Sequence, residues 1–463
     1  MPTRYTTRTP DVSAAPLSSP LTFPFATAAA AAPNRLMKVA MTERMATWVE
    51  GDLGASGIPT QALCDLYGHW ADGGWGLVVT GNIIVDPTHL EALGNMIIPP
   101  HEDEEDNKRR FEGYRRLAAA GKRGGGMFLG QLNHPGRQTE AALQPHPVSA
   151  SDVQLTKGYG ALSAFGRPHA ASAAEIAAVK AAFVHAAQYL ERAGFDGAQL
   201  HAAHGYLLAQ FLSPTTNSQR ADAYGGPPLR NRARLVTEIA DEIRAATGPA
   251  FVLAVKINSV EFQEAGFEAA EAAQLVRLLE AHGRFDVVEL SGGTYEAPGW
   301  HHRKESTRRR EAFFIEFAEL VVPHVRRMRT FITGGVRTVG GMVDALRSSG
   351  LDGVGLGRPS ATEPRLPRDI LVGGVKGCIK PLVGDTMILG DEDAWGYSAA
   401  LAGAHMLQLS LNQEPNDPSD QAVVDDFLKG FAKWVAAYRT RSKTDILDHV
   451  RFESVTPRPY GAG

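Results

Sequence analysis

The amino-acid sequence predicts an α/β fold, namely a (β/α)8 TIM barrel followed by a helical C-terminal extension. Short apolar runs alternate with longer segments of helical periodicity along most of the 463 residues, and this alternation is typical of parallel βα units. Eight apolar runs with intervening helices match the count of a barrel. A doubly wound sheet is the alternative, but it favours a glycine fingerprint at the first turn that this sequence lacks.

Each predicted strand is a short apolar run bounded by polar residues or glycine. The predicted strands are residues 35–41, 77–81, 127–133, 197–201, 251–257, 287–290, 330–333 and 353–356. The predicted helices lie near residues 60–73, 104–120, 173–193, 230–246, 268–282, 310–327 and 338–349. In such a barrel the active site forms at the carboxyl ends of the strands. The polar residues at those ends are therefore the candidates for function.

The chain divides into three predicted regions. Residues 1–20 are rich in proline, serine and threonine, which predicts a disordered N-terminal tail. Residues 21–380 contain the barrel, and residues 381–463 form the extension, which packs on the barrel or on a partner subunit. The sequence therefore leaves open whether the protein forms a homo-oligomer.

The extension is predicted to contain two helices. One lies near residues 397–409, and its successor begins with Asp417 as the N-cap and Pro418 at the first helical position. Apolar and aromatic residues then recur on one face, which predicts packing rather than chemistry.

The composition excludes several classes of protein. The 47 basic residues nearly balance the 51 acidic residues, so the sequence offers no electrostatic footprint for nucleic acid. Two cysteines cannot form a disulfide framework, so a cytoplasmic protein is predicted. No apolar run approaches the ~18 residues of a membrane helix, and no membrane association is expected.

The strongest candidate site follows the predicted strand at 197–201. His201, His204 and Tyr206 arrive within six residues, ahead of a long polar loop. Such a strand end is a place where a binding or catalytic site is built. A structural histidine and a metal-binding pair are the alternatives, but no nearby carboxylate or cysteine completes a tetrahedral set. The sequence favours substrate binding, and no metal site is predicted.

Glycines after the last two predicted strands indicate a phosphate site. Gly334 and Gly335 follow the seventh strand, and Gly357 and Arg358 end the eighth. Glycine lets backbone N–H groups approach an anion, and barrels commonly bind phosphate between these two loops. Tight turns that only need positive φ are the alternative. Gly293, after the sixth strand, offers a further approach point.

Three other features leave alternatives open. Lys256 lies late in the fifth predicted strand, where it is either functional or a rim residue that extends to water. The long segment 134–172 is typical of a lid or a functional surface. The basic run 300–310 is either a solvated face or a contact for the extra phosphate of NADPH.

Five blocks of this sequence resemble, in the same order, the Old Yellow Enzyme family of flavin-dependent ene-reductases. They are PNRLMKVAMTERM (33–45), GLVVTGNIIVD (76–86), GQLNHPGRQ (130–138), HAAHGYLLAQFLSPTTNSQRADAYGG (201–226) and ITGGVRTVGGMVDALRSSGLDGVGLGRP (332–359). The resemblance covers roughly residues 20–375. It implies non-covalent FMN as the cofactor, NAD(P)H as the co-substrate and an activated alkene as the small-molecule substrate.

The resemblance implies how this chain holds the flavin. Lys256 is expected at the N1/O2 side of the ring, Gln131 at the pyrimidine edge and Thr42 at the O4 side. Many relatives carry arginine at the position of Lys256, and lysine keeps the charge but loses the bidentate fork. The implied cofactor-binding set is Thr42, Gln131, Lys256, Gly293, Gly334, Gly335, Gly357 and Arg358.

The resemblance also implies a reaction. A hydride passes from the nicotinamide to FMN and then to the β-carbon of an enone, maleimide or nitroalkene. His201 and His204 hold the activating oxygen, and Tyr206 protonates the α-carbon. A non-catalytic FMN- or ligand-binding barrel and a flavin oxidoreductase for a different specialised substrate stay open. Larger relatives with an iron–sulfur cluster need a cysteine cluster, which two separated cysteines cannot supply.

Overall fold

Eight parallel strands close into a barrel in the computed structural model, which describes residues 1–6, 12–156, 164–217, 219–259, 261, 266–292, 315–384, 387–389, 393–442 and 444–461. The barrel strands are β1 (Leu36–Lys38), β2 (Leu77–Ile84), β3 (Met127–Asn133), β4 (Gly197–Ala202), β5 (Val252–Asn258), β6 (Val287–Ser291), β7 (Arg329–Thr333) and β8 (Gly353–Leu356). β1 pairs with both β8 and β2, which closes the sheet. The predicted (β/α)8 barrel is confirmed.

The predicted strands agree with the observed ones to within a few residues. β3 and β8 occupy the predicted ranges 127–133 and 353–356. β1 is shorter than predicted because its regular pairing with β8 ends at Lys38. β2 is longer because its last residues also pair with the short strand Met96–Ile97. The remaining short strands form two separate pairs, Val148–Ser149 with His169–Ala170 and Met387–Leu389 with Asp393–Gly396.

Helices follow the strands around the outside of the barrel. The described helices are α1 (Gln61–Asp72), α2 (Lys108–Gly121), α3 (Ala173–Ala193), α4 (Leu207–Leu212), α5 (Leu229–Ala246), α6 (Ala269–His282), α7 (Ile315–Val321), α8 (Val339–Arg347), α9 (Arg358–Thr362), α10 (Leu366–Leu371), α11 (Tyr397–Ser410) and α12 (Gln421–Thr440). Within the described residues, none of these helices has the length and apolar character needed to cross a bilayer.

Local signals explain where individual helices begin and end. Ser172 and Glu175 form a capping box at the start of α3, and Gly194 ends it in the left-handed conformation at φ 96°. The observed α3 therefore coincides with the predicted range 173–193. The helix predicted near 310–327 ends earlier, at Val321, and a short 3-10 turn with Pro323 follows. Proline cannot continue the hydrogen-bond ladder of a helix.

The interior of the barrel changes from apolar to polar along the strands. Side chains that point inward alternate with side chains that point toward the helices. The inward apolar layer consists of Met37, Val39, Leu77, Val79, Met127, Leu129, Val252, Ala254, Val287 and Phe331. Further along the same strands the buried side chains of Gln131, Gln199, Lys256 and Glu289 follow. The functional end of the barrel is therefore the polar end.

The N-terminal segment closes the opposite, apolar end. Leu21 and Ala32 bridge each other, and Leu21, Phe23, Ala26 and Ala32 join the inward apolar layer. The carboxylate of Asp286, which directly precedes β6, accepts hydrogen bonds from backbone N–H groups in this segment.

Part of the segment 1–20 differs from the predicted disordered tail. Leu17 is fully buried at 0% exposure, and its carbonyl accepts the Arg35 N–H at 2.9 Å. The Tyr5 N–H donates to the Cys378 carbonyl at 2.9 Å. The prolines oppose a long helix, but they permit an extended segment that buries single apolar side chains against the barrel.

The C-terminal extension forms a second apolar cluster around α11 and α12, in which Phe427, Phe431 and Trp434 pack against Leu401. The predicted start of α12 at Asp417 is wrong by three residues. Asp420 is the N-cap, and its Oδ1 accepts the Ala422 N–H at 2.8 Å. Asp417 instead caps a preceding turn, which is tied down because the Pro418 carbonyl accepts the Leu382 N–H at 2.9 Å.

We predict that Asp286→Ala strongly destabilises the fold. Asp286 is 0% exposed and accepts the N–H groups of Phe25 at 2.8 Å, Ala26 at 2.9 Å and Leu253 at 2.9 Å, in addition to an ion pair with Arg244. Breaking a buried pair of this kind costs about 3–5 kcal/mol. Urea unfolding monitored by circular dichroism measures the loss.

The matched control is Asp241→Ala. Asp241 pairs with Arg284 on the surface, where an ion pair contributes at most about 1 kcal/mol. Equal losses of unfolding free energy in the two variants would contradict the assigned role of Asp286 in closing the barrel.

Candidate active site

One wall of the polar opening is formed by β3, β4, β5 and β6. Gln131 lies opposite Gln199 in the pairing of β3 with β4. Lys256 lies between His201 of β4 and Glu289 of β6. All five side chains are buried, with exposures between 0% and 4%. The structure thus brings together three residues that the sequence predicted separately, and it adds Gln199 and Glu289.

The glycines after β7 form a tight turn, which is the candidate cradle for an anion. Gly334 and Gly335 have φ values of 115° and 83°, which favour glycine because a β-carbon strains the backbone there. Both residues are half-buried. A turn with successive glycines can direct its N–H groups toward an anion, so this turn is the candidate for the predicted phosphate site.

Gly357 and Arg358 stand beside this cradle, because β7 and β8 are neighbours. Arg358 is the first residue of α9 and is half-buried. Its Nη1 donates a hydrogen bond to Ser398 Oγ in α11. The C-terminal extension therefore positions the arginine that is predicted to meet the phosphate. The contact between Arg358 and Ser398 was not predicted from the sequence.

His201, His204 and Tyr206 gather at the end of β4. The His201 ring lies 5.1 Å from the His204 ring and 4.7 Å from the Tyr206 ring, measured between centroids. His204 and Gly205 both adopt positive φ, at 58° and 78°, which turns the chain sharply so that Tyr206 becomes the N-cap of α4. This tight turn folds three sequence neighbours into one group of side chains.

Two residues of neighbouring strands hold this turn. The Asn258 side chain of β5 accepts the His204 N–H at 3.0 Å. Ser291 Oγ of β6 lies 3.0 Å from His204 Nε2. A non-glycine residue at positive φ needs such external support. Asn258 was not identified from the sequence.

Both histidines are neutral near pH 7. Burial is the main cause that holds the pKa of His201 well below its ordinary value, and the electrostatic influence of His204 and of Lys256 follows. Burial and Lys256 lower the pKa of His204 to about 3. His201 Nδ1 accepts the Ala203 N–H at 3.4 Å, which leaves the proton of the neutral ring on Nε2. A neutral imidazole can still donate a hydrogen bond to a substrate oxygen.

Thr42 lies in the loop after β1 and is half-buried. Its Oγ1 lies 3.4 Å from a carboxylate oxygen of Glu91. The extension supports the same loop, since His449 Nε2 donates to the Glu43 carbonyl at 2.6 Å and Arg44 donates to His449 Nδ1 at 3.1 Å. The position of Thr42 therefore depends on residues that are distant in sequence.

Several predicted features fall wholly or partly outside the described residues. Gly293 and the basic run 300–310 lie outside them, and so does the middle of the segment 134–172. The described part of that segment includes the 3-10 turn Gly136–Gln138 and the two strands of one short pair, Val148–Ser149 and His169–Ala170.

A different cluster has the composition of a metal site. The side chains of Asp86, His89 and His134 place ligand atoms within 4.8 Å of one another. However, His89 Nε2 accepts the Val148 N–H at 3.1 Å, and His134 Nδ1 accepts the Gly136 N–H at 3.1 Å. Each ring then carries a proton on the nitrogen that faces Asp86.

This tautomer opposes metal binding, because a metal-bound histidine usually donates its second ring N–H to a neighbour. Burial alone would raise the pKa of Asp86, but the hydrogen bonds from His134 and His89 lower it well below its ordinary value. The cluster is an ionised carboxylate held between two histidines, and it connects the loops after β2 and β3.

Comparison with known proteins identifies the family. A sequence model of the NADH:flavin oxidoreductase / NADH oxidase family matches residues 20–373. The NADH-dependent flavin oxidoreductase nadA of Aspergillus parasiticus is 43% identical over 427 residues, which is 92% of each chain. The NADH-dependent flavin oxidoreductase iccE of Talaromyces variabilis is 34% identical over 361 residues, covering 73% of this chain and 83% of that one.

Solved structures share the fold at low sequence identity. Morphinone reductase in complex with tetrahydroNAD has a TM-score of 0.61 and 22% identity, with 79% of this chain and 93% of that chain covered. The Old Yellow Enzyme homologue from Zymomonas mobilis has a TM-score of 0.62 and 22% identity, with 78% and 94% covered.

The barrel and the family match together place the chain among the flavin-dependent oxidoreductases. The glycine turn after β7 and the neighbouring Arg358 are compatible with the phosphate of FMN. The chain belongs to the NADH:flavin oxidoreductase / NADH oxidase family, the family of Old Yellow Enzyme. Its cofactor is FMN, and a reduced nicotinamide is its electron source. The predicted family, enzyme class and cofactors are therefore confirmed.

We predict that FMN is bound non-covalently and is released when the protein is denatured. Gly335→Ala should raise the dissociation constant of FMN by at least tenfold. A β-carbon at this φ displaces the backbone N–H groups that meet the phosphate, and a loss of about 1.4 kcal/mol of binding free energy corresponds to a factor of ten. Titration of the apoprotein, followed by flavin fluorescence, measures the constant.

Gly374→Ala is the matched control, because Gly374 has a similar φ of 74° and open space around an added β-carbon. It carries comparable strain in an exposed turn and should leave FMN affinity unchanged. FMN that stays attached after denaturation would contradict non-covalent binding. Equal FMN affinities in Gly335→Ala and Gly374→Ala would argue against the cradle.

Proposed function

We propose that the protein is an ene-reductase for C=C bonds activated by a carbonyl or nitro group, as in enones, maleimides and nitroalkenes. NADH or NADPH supplies the electrons, and bound FMN supplies the hydride chemistry. The overall reaction adds one hydride and one proton across the double bond. The protein must therefore hold the activating oxygen and deliver a proton to the neighbouring carbon.

The observation that carries this proposal is the grouping of His201, His204 and Tyr206 at the end of β4, beside Lys256 in β5. Two neutral imidazoles provide hydrogen-bond donors for an oxygen on which negative charge develops. Donors that are fixed before the reaction stabilise such charge without reorganising. The Asn258 and Ser291 contacts supply this preorganisation for His204.

Tyr206 is proposed as the proton donor. It is 5% exposed and follows the tight turn at His204 and Gly205. Its ring packs edge-on against the His201 ring. The proton donor and one of the groups proposed to bind the substrate oxygen are therefore held next to each other. This arrangement supports protonation of the carbon next to the activating group.

The proposed compartment is the cytoplasm. The two cysteines, Cys64 and Cys378, are buried thiols, which suits a reducing environment.

Stopped-flow experiments test the proposal as a whole. The protein, loaded with FMN, is reduced anaerobically by NADH or NADPH and then mixed with an enone, a maleimide or a nitroalkene. We expect rapid return of the oxidised flavin spectrum and formation of the saturated product. A protein that accepts electrons but leaves every activated alkene unchanged would be a flavin oxidoreductase for another substrate.

We predict that His201→Ala and His204→Ala weaken the binding of phenolate ligands such as p-hydroxybenzaldehyde by about tenfold or more, while FMN stays bound. Each substitution removes a hydrogen bond to a charged oxygen, which contributes about 1.5–3 kcal/mol. Spectral titration of the flavin measures ligand affinity. His282→Ala, at the end of α6, is the control that should change nothing.

The pH dependence provides an additional test. Because the pKa values of both histidines are lowered, neither ring gains a proton between about pH 5 and pH 8, the range in which histidine normally titrates. Ligand affinity across this range should follow only the ionisation of the phenol. A further inflection that disappears in His204→Ala would show that the histidine titrates there.

We predict that Tyr206→Phe leaves reduction by the nicotinamide nearly unchanged but slows reoxidation by cyclohexenone about 10²–10⁴-fold. This is the usual contribution of general acid catalysis. A nitroalkene stabilises its own carbanion, so the variant should still consume it at an appreciable rate. Rapid-mixing measurements of the two half-reactions separate these effects.

Tyr224→Phe is the matched control, since the Tyr224 hydroxyl donates to Glu238 outside the site. Equal losses on the enone and the nitroalkene, or a loss confined to the nicotinamide step, would remove the proton-donor role from Tyr206.

A further inference from the structure

A continuous row of hydrogen bonds crosses the polar interior of the barrel. Gln131 Nε2 donates to Gln199 Oε1 at 2.6 Å, and Gln199 Nε2 donates to Glu289 Oε2 at 2.9 Å. The other carboxylate oxygen, Glu289 Oε1, accepts from Thr333 Oγ1 at 2.8 Å and lies 3.1 Å from Lys256 Nζ. Glu289 is therefore the residue at which the row from Gln131 meets Lys256.

Glu289 occupies a position where a carboxylate is costly. It is 0% exposed, and a buried charge requires a partner of opposite sign or several hydrogen bonds. Glu289 has both, and each of its oxygens is engaged. Lys256 is itself only 4% exposed, so the two charges compensate each other out of contact with water.

The carboxylate also sets the direction of the two amides. An ionised carboxylate only accepts hydrogen bonds, so Gln199 must turn its NH2 group toward Glu289 and its oxygen toward Gln131. Gln131 then has to donate to that oxygen. A single buried charge thus determines how the side chain of a predicted flavin-binding residue is oriented.

We propose that Glu289 is a positioning residue that holds Lys256 and Gln131 in place and reduces the positive charge that Lys256 presents to the flavin. The proposal rests on the proposed FMN-dependent function and on the expected position of Lys256 at the N1/O2 side of the flavin ring. The reduced flavin carries an extra negative charge when its N1 is unprotonated, and a nearby cation stabilises that charge. Glu289 opposes this stabilisation, so it lowers the midpoint potential.

The two partners therefore have opposite predicted effects. Glu289→Gln leaves Lys256 uncompensated and should raise the potential of bound FMN. Lys256→Met removes the cation and should lower the potential and slow reduction by the nicotinamide. We expect each substitution to change the ratio of reduced to oxidised flavin binding by at least tenfold, which corresponds to about 30 mV for a two-electron couple.

Anaerobic titration against redox dyes measures the potential of the FMN-loaded wild type, the two single variants and the double variant. Because Glu289 acts through Lys256, most of the upward shift should be absent when Glu289→Gln is made in the Lys256→Met background. If Glu289 had only a structural role, Glu289→Gln would not specifically raise the midpoint potential, and its effect would not depend on the presence of Lys256. Glu280→Gln is the control, since it removes another buried carboxylate, paired with Arg327, and should leave the potential unchanged.

Other outcomes would overturn the proposal. An unchanged or lowered potential in FMN-loaded Glu289→Gln contradicts it, and so does an equal upward shift in the presence and absence of Lys256. If Glu289→Gln does not hold FMN, Thr333→Val is used instead. That variant removes a hydrogen bond to Glu289, strengthens the field of the carboxylate and should lower the potential, and an unchanged or raised potential contradicts the proposal.

The dye titration does not require alkene turnover. Shifts of the expected sign in a protein that reduces no alkene would support the proposal while the proposed substrate class fails. Unchanged potentials in both Lys256→Met and Glu289→Gln would contradict the placement of the flavin beside Lys256, and the inference would fall with it.

Discussion

The pairing of the first barrel strand with the last one is the constraint on which the site depends. Leu36 of β1 lies opposite Val354 of β8, although more than 300 residues separate them in the sequence. Because all the strands are parallel, closure places their carboxyl ends around one opening. The loop of Thr42 and the corner of Arg358 become neighbours only through this closure. The apolar layer and the N-terminal segment fill the other end of the barrel, so the polar residues line a single opening.

Charge compensation inside the polar opening, between Lys256 and Glu289, determines what chemistry is available. Glu289 is paired with Lys256, and the nearby histidines lose the tendency to gain a proton because they are buried close to that lysine. The site therefore offers a paired cation and neutral donors in place of a cluster of free positive charges. Such groups can favour developing negative charge without holding an anion so tightly that it cannot leave.

The C-terminal extension belongs to the site as much as to the periphery. The family match ends at residue 373, yet Ser398 contacts Arg358, and His449 contacts the loop that carries Thr42. Trp48, in the same loop, donates to the Thr444 carbonyl at 2.8 Å. Residues outside the common barrel thus hold two of the corners at which the flavin is expected. Because the extension has its own apolar cluster, it can serve as a rigid support for both.

The sequence by itself determined the order and type of the elements, because apolar periodicity and local signals such as the Ser172 capping box act over a few residues. It also determined the glycine turn after β7 and the grouping of His201, His204 and Tyr206, since the residues of each group are close neighbours along the chain. Local signals were weaker at the ends of the chain. Leu17 is buried despite its proline-rich surroundings, and Asp420 rather than Asp417 caps α12 because residues 417–420 are held by a distant contact.

Only the tertiary structure decided which residues complete the site. In the sequence, Glu289 and Gln199 are single polar residues within apolar strands. No local pattern indicates that they contact Lys256 and Gln131. Ser398 and His449 lie in helices and loops with no motif at all. Their roles depend on contacts between strands and helices that are distant in sequence, which are fixed by barrel closure and by burial of the extension. A sequence pattern can indicate which groups are chemically capable, but the pairing of buried charges is a property of the closed fold.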